Sequence, residues 1–244
     1  MQLRVFIRLG HGHNRRMAVP TSPQELRIVA GDSTVAALLD RPADPFAGYV
    51  FAHGAGAGMH HSFMAAMARA LCDRGVATLR FQFPFMERGT RRVDSPAIAH
   101  AAIRAAVTEA ARQFDGLRLF AGGKSFGGRM SSQAQAAQPL PGVCGLVFVG
   151  FPLHPAGKPA TTRAQHLSAV QVPMLFLQGT RDALADLSLV REIATPLADR
   201  ATLHEIEQAD HAFAVPARLG RKPDEVIADL AHVAANWMRT APHC

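Results

Sequence analysis

The segment Gly123-Lys124-Ser125-Phe126-Gly127 has the residue types and spacing of a nucleophile elbow. A serine hydroxyl attacks an acyl carbon when it projects from a sharp strand-to-helix turn and a nearby base takes its proton. Glycines two positions before and after the serine permit the close approach of strand and helix that this turn demands. An apolar run over Leu117–Ala121 leads into the segment, and small residues follow to about Gln138. That setting points to Ser125 as a nucleophile rather than a structural serine. The same residues also form the tail of a phosphate-binding loop, Gly-x-x-x-x-Gly-Lys-Ser/Thr. That loop requires glycine at position 118, where the chain has Arg118, so a nucleotide cradle is excluded.

A nucleophilic serine needs a base, an acid behind the base, and donors for the oxygen that becomes negative. Ligands of open α/β sheets bind beyond the carboxyl ends of the strands, so residues just after each predicted strand are the candidates. Asp182 follows the run Met174–Gln178, and His211 follows Thr202–Ile206. Ser, Asp and His thus occur in the chain order that nucleophile-elbow enzymes use. His211 is expected to take the Ser125 proton and return it to the leaving group, with Asp182 holding the imidazole tautomer and stabilising its protonated form. Asp186, one turn further on, is the rival acid; Asp210 is too near His211 along the chain to reach under the ring. His204 and His232 fall within a strand and a helix and read as structural.

The glycine-rich stretch His53-Gly54-Ala55-Gly56-Ala57-Gly58 follows another apolar run, Gly48–His53. Backbone N–H groups aimed at the developing oxyanion are expected from Ala55 here and from Phe126 after the nucleophile. A dinucleotide fingerprint fails because Met59 stands where its last glycine is required. His53 reads as a buried hydrogen-bonding residue, and His60-His61 as the start of a helix rather than metal ligands.

The elements that must position these residues alternate along the chain. Leu26–Ala30 and Thr34–Leu39 flank a tight turn at Gly31-Asp32-Ser33 and predict a hairpin. Strands are expected over Gly48–His53, Val76–Phe83, Leu117–Ala121, Val143–Val149, Met174–Gln178 and Thr202–Ile206. Helices are expected over His61–Arg74 with Gly75 as its cap, over Ser95–Phe114 with Asp94 or Ser95 as cap, from Ser125 to about Gln138, and over Asp186–Leu197 and Asp224–Met238. This order predicts an α/β fold, a mostly parallel sheet with helices on both faces and an antiparallel hairpin at one edge. Between Val149 and the next strand only a proline- and glycine-rich connection fits, so no cap domain is expected.

Composition limits the remaining options. The chain has 244 residues, 48% hydrophobic and 18% charged, which suits one large α/β domain. No apolar run approaches the roughly 18 residues of a membrane span. Arg4, Arg8, Arg15 and Arg16 supply more than half of the net charge of +7, and no basic stripe interleaved with aromatics follows them, so no nucleic-acid partner is expected. Residues 1–24 read as a basic, disordered tail, with Met17 as an alternative start, and 25–244 as a single domain. Cys72, Cys144 and Cys244 offer neither a disulfide framework nor a metal knuckle. Cys72 and Cys144 read as small core residues, which favours a reducing, cytoplasmic compartment. No metal and no cofactor is expected.

FAHGAGAGMHH at 51–61, RFQFPFMERG at 80–89, GGKSFGGRM at 122–130, GFPLHPAGKP at 150–159 and LFLQGTRDA at 175–183 resemble the dienelactone-hydrolase-like members of the α/β-hydrolase superfamily. They are most similar to the branch with the testis-expressed hydrolase-like protein and the hydrolase-like domain of an NSL acetyltransferase-complex subunit. The resemblance implies the α/β-hydrolase fold, a triad at Ser125, Asp182 and His211, and an oxyanion hole at Ala55 and Phe126. True dienelactone hydrolases use cysteine where this chain has serine, which shifts the expectation to ordinary ester, thioester or lactone cleavage.

The Phe83–Arg92 loop leaves a strand next to the oxyanion strand, so Phe85 and Met86 are expected to line an acyl pocket. Glu87, Arg88, Arg91 and Arg92 read first as a solvated loop paired within itself; the alternative is an anionic substrate, with Arg91 or Arg92 meeting its carboxylate. The expected function is hydrolysis of a small acyl substrate through an acyl-serine intermediate; the alternative is a hydrolase-like interaction module with vestigial catalysis.

Overall fold

Eight strands form one sheet in the computed structural model, which describes residues 22–242. The strands are β1 (Gln24–Ala30), β2 (Ser33–Asp40), β3 (Ala47–Ala52), β4 (Val76–Phe81), β5 (Arg118–Lys124), β6 (Val143–Val149), β7 (Met174–Gly179) and β8 (Ala201–Ile206). Their spatial order is β1-β2-β4-β3-β5-β6-β7-β8. The β1–β2 hairpin is antiparallel and joins β4 antiparallel; every pair from β4 to β8 is parallel. β3, β4, β6 and β7 are buried along their whole length, which explains why they read as continuous apolar runs rather than alternating ones.

Six α-helices cover the two faces: α1 (Ser62–Cys72), α2 (Pro84–Glu87), α3 (Pro96–Gln113), α4 (Phe126–Ala137), α5 (Leu187–Ala194) and α6 (Pro223–Thr240). One face packs under α3 and α4, where Ile103, Val107, Met130 and Ala134 meet Val50, Leu79 and Phe148. The other packs under α1 and α6, where Met67, Leu71, Leu230 and Ala234 meet Tyr49, Val147 and Leu175. The two cores together bury most of the aromatic residues, each worth about 1.5–3 kcal/mol of transfer free energy when fully buried. Between β6 and β7 there is a loop and a single 3₁₀-helix (Thr162–Ala169), and no inserted domain.

Most elements lie where their sequence signals put them; the exceptions are informative. β4 ends at Phe81 rather than running on to Phe83, and Pro84 opens the short helix α2 with Phe83 as its N-cap, as proline suits the first helical turn. Ser95 is the N-cap of α3 but makes no side-chain capping bond. Asp94 does not cap α3 either: it is buried, accepts the Phe85 N–H at 2.7 Å and pairs with Arg88 at 2.6 Å. Cys72 is a buried, free thiol whose pKa burial pushes up to about 11. Cys144 is buried too but is not free, so the reading as a plain core residue holds for Cys72 alone, and the argument for a reducing compartment loses that support. Among the described residues no helix is long and apolar enough to cross a membrane. The basic tail expected over 1–24 lies outside the described residues except for its last three positions, of which Gln24 already belongs to β1.

Candidate active site

Ser125 sits between β5 and α4 with φ 50° and ψ −115°. A non-glycine residue in that region is strained by about 1–3 kcal/mol, and the surroundings must hold it there. They do so by contact. A Cβ on Gly123 would lie 2.2 Å from the Ala52 carbonyl oxygen, and one on Gly127 would lie 2.4 Å from the same atom. Only glycine lets β5 and α4 close on β3 this tightly. The Ser125 N–H donates to Val149 O at 3.1 Å, which ties the turn to β6.

The loops after β7 and β8 bring Asp182 and His211 to this turn. His211 Nε2 lies 2.8 Å from Ser125 Oγ, and His211 Nδ1 lies 2.7 Å from Asp182 Oδ2. The Asp182 side chain is 0% exposed and that of His211 25%, so the pair is anchored in the protein while the imidazole reaches the cleft. Gln178 Nε2 donates to Asp182 Oδ2 at 2.6 Å, and the Leu184 N–H donates to Oδ1 at 2.8 Å. Both bonds fix the plane of the carboxylate. Asp186 is not part of this group: it caps α5, accepting the Ser188 N–H and hydroxyl at 2.9 and 2.7 Å. Asp210 instead accepts the N–H groups of Ala212 and Ala214 at 2.8 and 2.9 Å and thereby folds the loop that carries His211.

The glycine-rich loop after β3 passes over the serine; a Cβ on Gly54 would lie 3.7 Å from Ser125 Cβ. His53 is 0% exposed, and burial lowers its pKa to about 4, so the ring is neutral at pH 7. Its Nε2 accepts the Phe83 N–H at 3.0 Å, which leaves Nδ1–H to donate to Gly54 O at 2.7 Å. The carbonyl and N–H of one trans peptide point in opposite directions. With Gly54 O held inward by His53, the Ala55 N–H is directed away from it. Met59, at the far end of the loop, is clamped from β4: Arg80 donates to its carbonyl at 3.0 Å and Gln82 accepts its N–H at 2.9 Å. Phe126 is the first residue of α4, so its N–H has no acceptor within the helix. His61 caps α1 by accepting the Phe63 N–H at 3.2 Å, which agrees with its reading as a helix-start residue.

Ser125 and His211 open onto a cleft of about 490 Å³, walled by Ala55, His61, Phe63, Met64, Leu184 and Ala212 among others. The Phe83–Arg92 segment is not part of that wall. Phe85 is fully buried and faces Phe83, Phe126 and His53 with ring centroids 6.1, 6.0 and 5.8 Å away. Met86 packs partly buried against the same core. The turn of α2 aims both inward, and the apolar side chains that line the cleft are instead Phe63 and Met64 of α1 and Leu184. Arg91 and Arg92 are exposed outside the cleft. Glu87 and Arg88 do not pair with each other; Glu87 pairs with Arg27 at 2.6 Å and Arg88 with Asp94. Gln178 carries no motif, yet a polar residue ending an apolar strand four places before the acid was a signal for it.

Lys124 Nζ donates to the carbonyl of His211 and lies 5.0 and 5.7 Å from the ring centroids of Phe213 and Phe63. Burial lowers its pKa to about 8, opposed by Asp182 and Asp210. Among the described residues no group of three or more His, Cys, Asp or Glu side chains is arranged to hold a metal ion.

The model of the alpha/beta hydrolase domain family matches residues 46–239. A putative phosphoribosyl transferase of Mycobacterium tuberculosis is 30% identical over 222 residues, 89% of this chain and 46% of the relative. The chain therefore spans about half the length of the curated relatives it matches. Among solved structures, a dienelactone hydrolase from Anabaena variabilis aligns with a TM-score of 0.71 at 20% identity, over 91% of this chain and 99% of its own. An α/β serine hydrolase without a lid from Xanthomonas campestris aligns with a TM-score of 0.69 at 23% identity, over 91% and 98%. At those identities the two structures share the fold.

Proposed function

The chain belongs to the α/β-hydrolase family, and from that premise we propose that it is a serine hydrolase of small acyl substrates, working through an acyl-Ser125 intermediate. The observation that carries the reading is the continuous line of short contacts from Ser125 Oγ through His211 to Asp182, 2.8 and 2.7 Å long. His211 takes the serine proton as Oγ attacks the acyl carbon and gives it to the departing alcohol, thiol or lactone oxygen. Asp182, acceptor of two further hydrogen bonds, keeps the Nδ1–H tautomer and stabilises the imidazolium. The N–H groups of Ala55 and Phe126 receive the oxyanion; one is aimed by the His53–Gly54 bond and the other is free at the start of α4. Water then enters the open cleft, His211 deprotonates it, and the acyl-enzyme is hydrolysed. No step calls for a metal or cofactor.

The cleft supports a substrate of modest size with an apolar acyl or alcohol part against Phe63, Met64 and Leu184. A serine nucleophile and an uncapped site favour esters, thioesters and lactones of this kind. The phosphoribosyl transferase name belongs to relatives of which this chain matches about half, and no feature of the site favours that chemistry. The likeness to the testis-expressed and NSL-subunit branch bears on ancestry and is proposed on the motifs alone. The vestigial-module alternative has no feature of the site in its favour.

Labelling with a fluorophosphonate tests the reading directly. Wild-type protein is expected to be modified at Ser125, and Ser125→Ala to stay unlabelled. Folded wild-type protein that resists labelling, and turns over none of a panel of short esters, thioesters and lactones, overturns it.

A further inference from the structure

Lys124 directly precedes the proposed nucleophile, and its half-buried side chain lines the cleft beside Ser125 and His211. It runs under the loop after β8 and ends within hydrogen-bonding distance of the carbonyl of His211, the proposed base. The nucleophile's neighbour along the chain thus holds the base's backbone, across 87 residues of sequence. The ammonium is enclosed by Phe213, from the same loop, and Phe63, from α1, whose rings stack at 5.9 Å and 17°. Gly150, at the end of β6, makes room for it: a Cβ there would lie 3.0 Å from Lys124 Nζ and 3.6 Å from His211 Cε1.

The loop needs holding. Phe213 has φ 65°, a strained conformation for a bulky residue. Asp210 folds the loop onto itself through Ala212 and Ala214, but those bonds do not fix its distance from Ser125. The Lys124 bond does, because Lys124 and Ser125 are adjacent. We propose that Lys124 is a positioning residue, whose ammonium clasps the His211 loop against the nucleophile turn and whose deprotonation loosens that clasp. The inference rests on the serine-hydrolase reading for its effect on rate, though not for the structural coupling itself.

The chemistry is a matter of charge. An ammonium makes a charge-assisted bond to a carbonyl and a cation–π contact with each ring; loss of the proton removes the cation–π contacts and reduces the bond to a weaker neutral N–H···O one. The titratable groups around it are Asp182 from the loop after β7, and Asp210 and His211 from the loop after β8; α1 presents Phe63, with His61 on the wall of the same cleft, and β6 presents Gly150. Both carboxylates favour the ammonium, but both are engaged by other donors, and burial opposes it more strongly. The proton is therefore lost near pH 8. Below that pH the clasp is closed; above it, the clasp loosens.

The test compares wild type with Lys124→Met, which keeps the apolar stem without a charge, and with Phe213→Leu, which removes one ring from the enclosure. The rate of fluorophosphonate labelling of Ser125 and the kcat and KM for a neutral short ester are measured from pH 6.5 to 9.5. Wild-type rates are expected to fall about tenfold along a limb centred near pH 8. Lys124→Met is expected to be about tenfold slower in kcat at pH 7, with KM within twofold and no limb. Phe213→Leu is expected to lower the midpoint of the limb by losing cation–π support for the ammonium. In parallel, the His211 ring 13Cε1 resonance of wild type, assigned by its absence in His211→Gln, is expected to show an inflection near pH 8. An unchanged limb in Lys124→Met, or no inflection of the His211 resonance near pH 8, overturns the clasp. If wild-type Ser125 is unlabelled at every pH, the hydrolase reading fails, and the His211 resonance alone decides the clasp.

Discussion

Gln178 and Asp182 form a buried pair in which the amide Nε2 donates at 2.6 Å to the same carboxylate oxygen that receives the His211 imidazole. The other end of the amide, Oε1, accepts the Phe151 N–H at 2.9 Å. Gln178 thus ties the orientation of Asp182 to the loop after β6; loss of its oxygen leaves the Phe151 N–H unpaired, and loss of its nitrogen takes one of two donors from Asp182 Oδ2.

Gln178→Leu is expected to leave the Phe151 N–H without an acceptor and one oxygen of Asp182 with one donor fewer. An unsatisfied buried group costs about 1–3 kcal/mol. Urea unfolding should show a loss of that size, and ester turnover should fall about tenfold as the imidazole loses its fixed partner. Unchanged turnover would show that Gln178 supports the fold alone. Asp182→Asn is expected to be far worse, by about 10⁴ in kcat, because the wrong tautomer is favoured.

Gly127→Ala and Gly56→Ala separate close packing from mere flexibility. A Cβ at Gly127 would collide with the Ala52 carbonyl at 2.4 Å, whereas one at Gly56 meets nothing within 4 Å. Gly127→Ala is expected to lose about 3 kcal/mol or more, since rigid backbone on both sides cannot yield. Gly56→Ala is expected to unfold within about 0.5 kcal/mol of wild type, the range of surface substitutions. Chemical denaturation midpoints of the two variants check the contrast.

Phe85→Ala and the double variant Arg91→Ala/Arg92→Ala address the loop expected to bind substrate. Phe85 is a fully buried member of the ring cluster with Phe83 and Phe126. Its truncation is expected to cost about 3–5 kcal/mol. Arg91 and Arg92 are exposed outside the cleft. Their removal is expected to leave the ratio of kcat/KM for carboxylated and neutral esters within twofold of wild type. A selective loss of carboxylated substrates would return the arginines to the site.

His53 sets an acid limit on stability. Burial lowers its pKa from 6.5 to about 4 in the folded protein. Between those values the unfolded chain binds a proton that the folded protein does not, so stability falls as pH drops from 6.5 towards 4. The loss amounts to about 3 kcal/mol at most, from 1.36 kcal/mol per unit. Unfolding free energies measured across that window should fall in wild type and fall less in His53→Gln. Parallel slopes in the two proteins would remove His53 as the cause.

The sequence by itself determined the alternation of strands and helices, the antiparallel hairpin at one edge, and Ser125, Asp182 and His211 as the candidates for one site. Each lies at or shortly after the end of a strand, Ser125 directly after β5 and Asp182 and His211 in the loops after β7 and β8, and the carboxyl ends of parallel strands lie along one edge, so position along the chain implies position in space. Ser125 was further marked by its glycines, which report close approach of β5, α4 and β3. Elsewhere local signals ran out. Which way α2 turns Phe85, and whether Asp94 caps α3 or bonds the Phe85 N–H, depends on what lies across the interface, and only the packed structure decided both. The same holds for Lys124. Its place beside Ser125 is written in the chain, but its bond to the His211 carbonyl joins two loops 87 residues apart. No pattern of types or spacing encodes that contact, because it exists only once the loop after β8 reaches back past the ends of β7 and β6 to the end of β5.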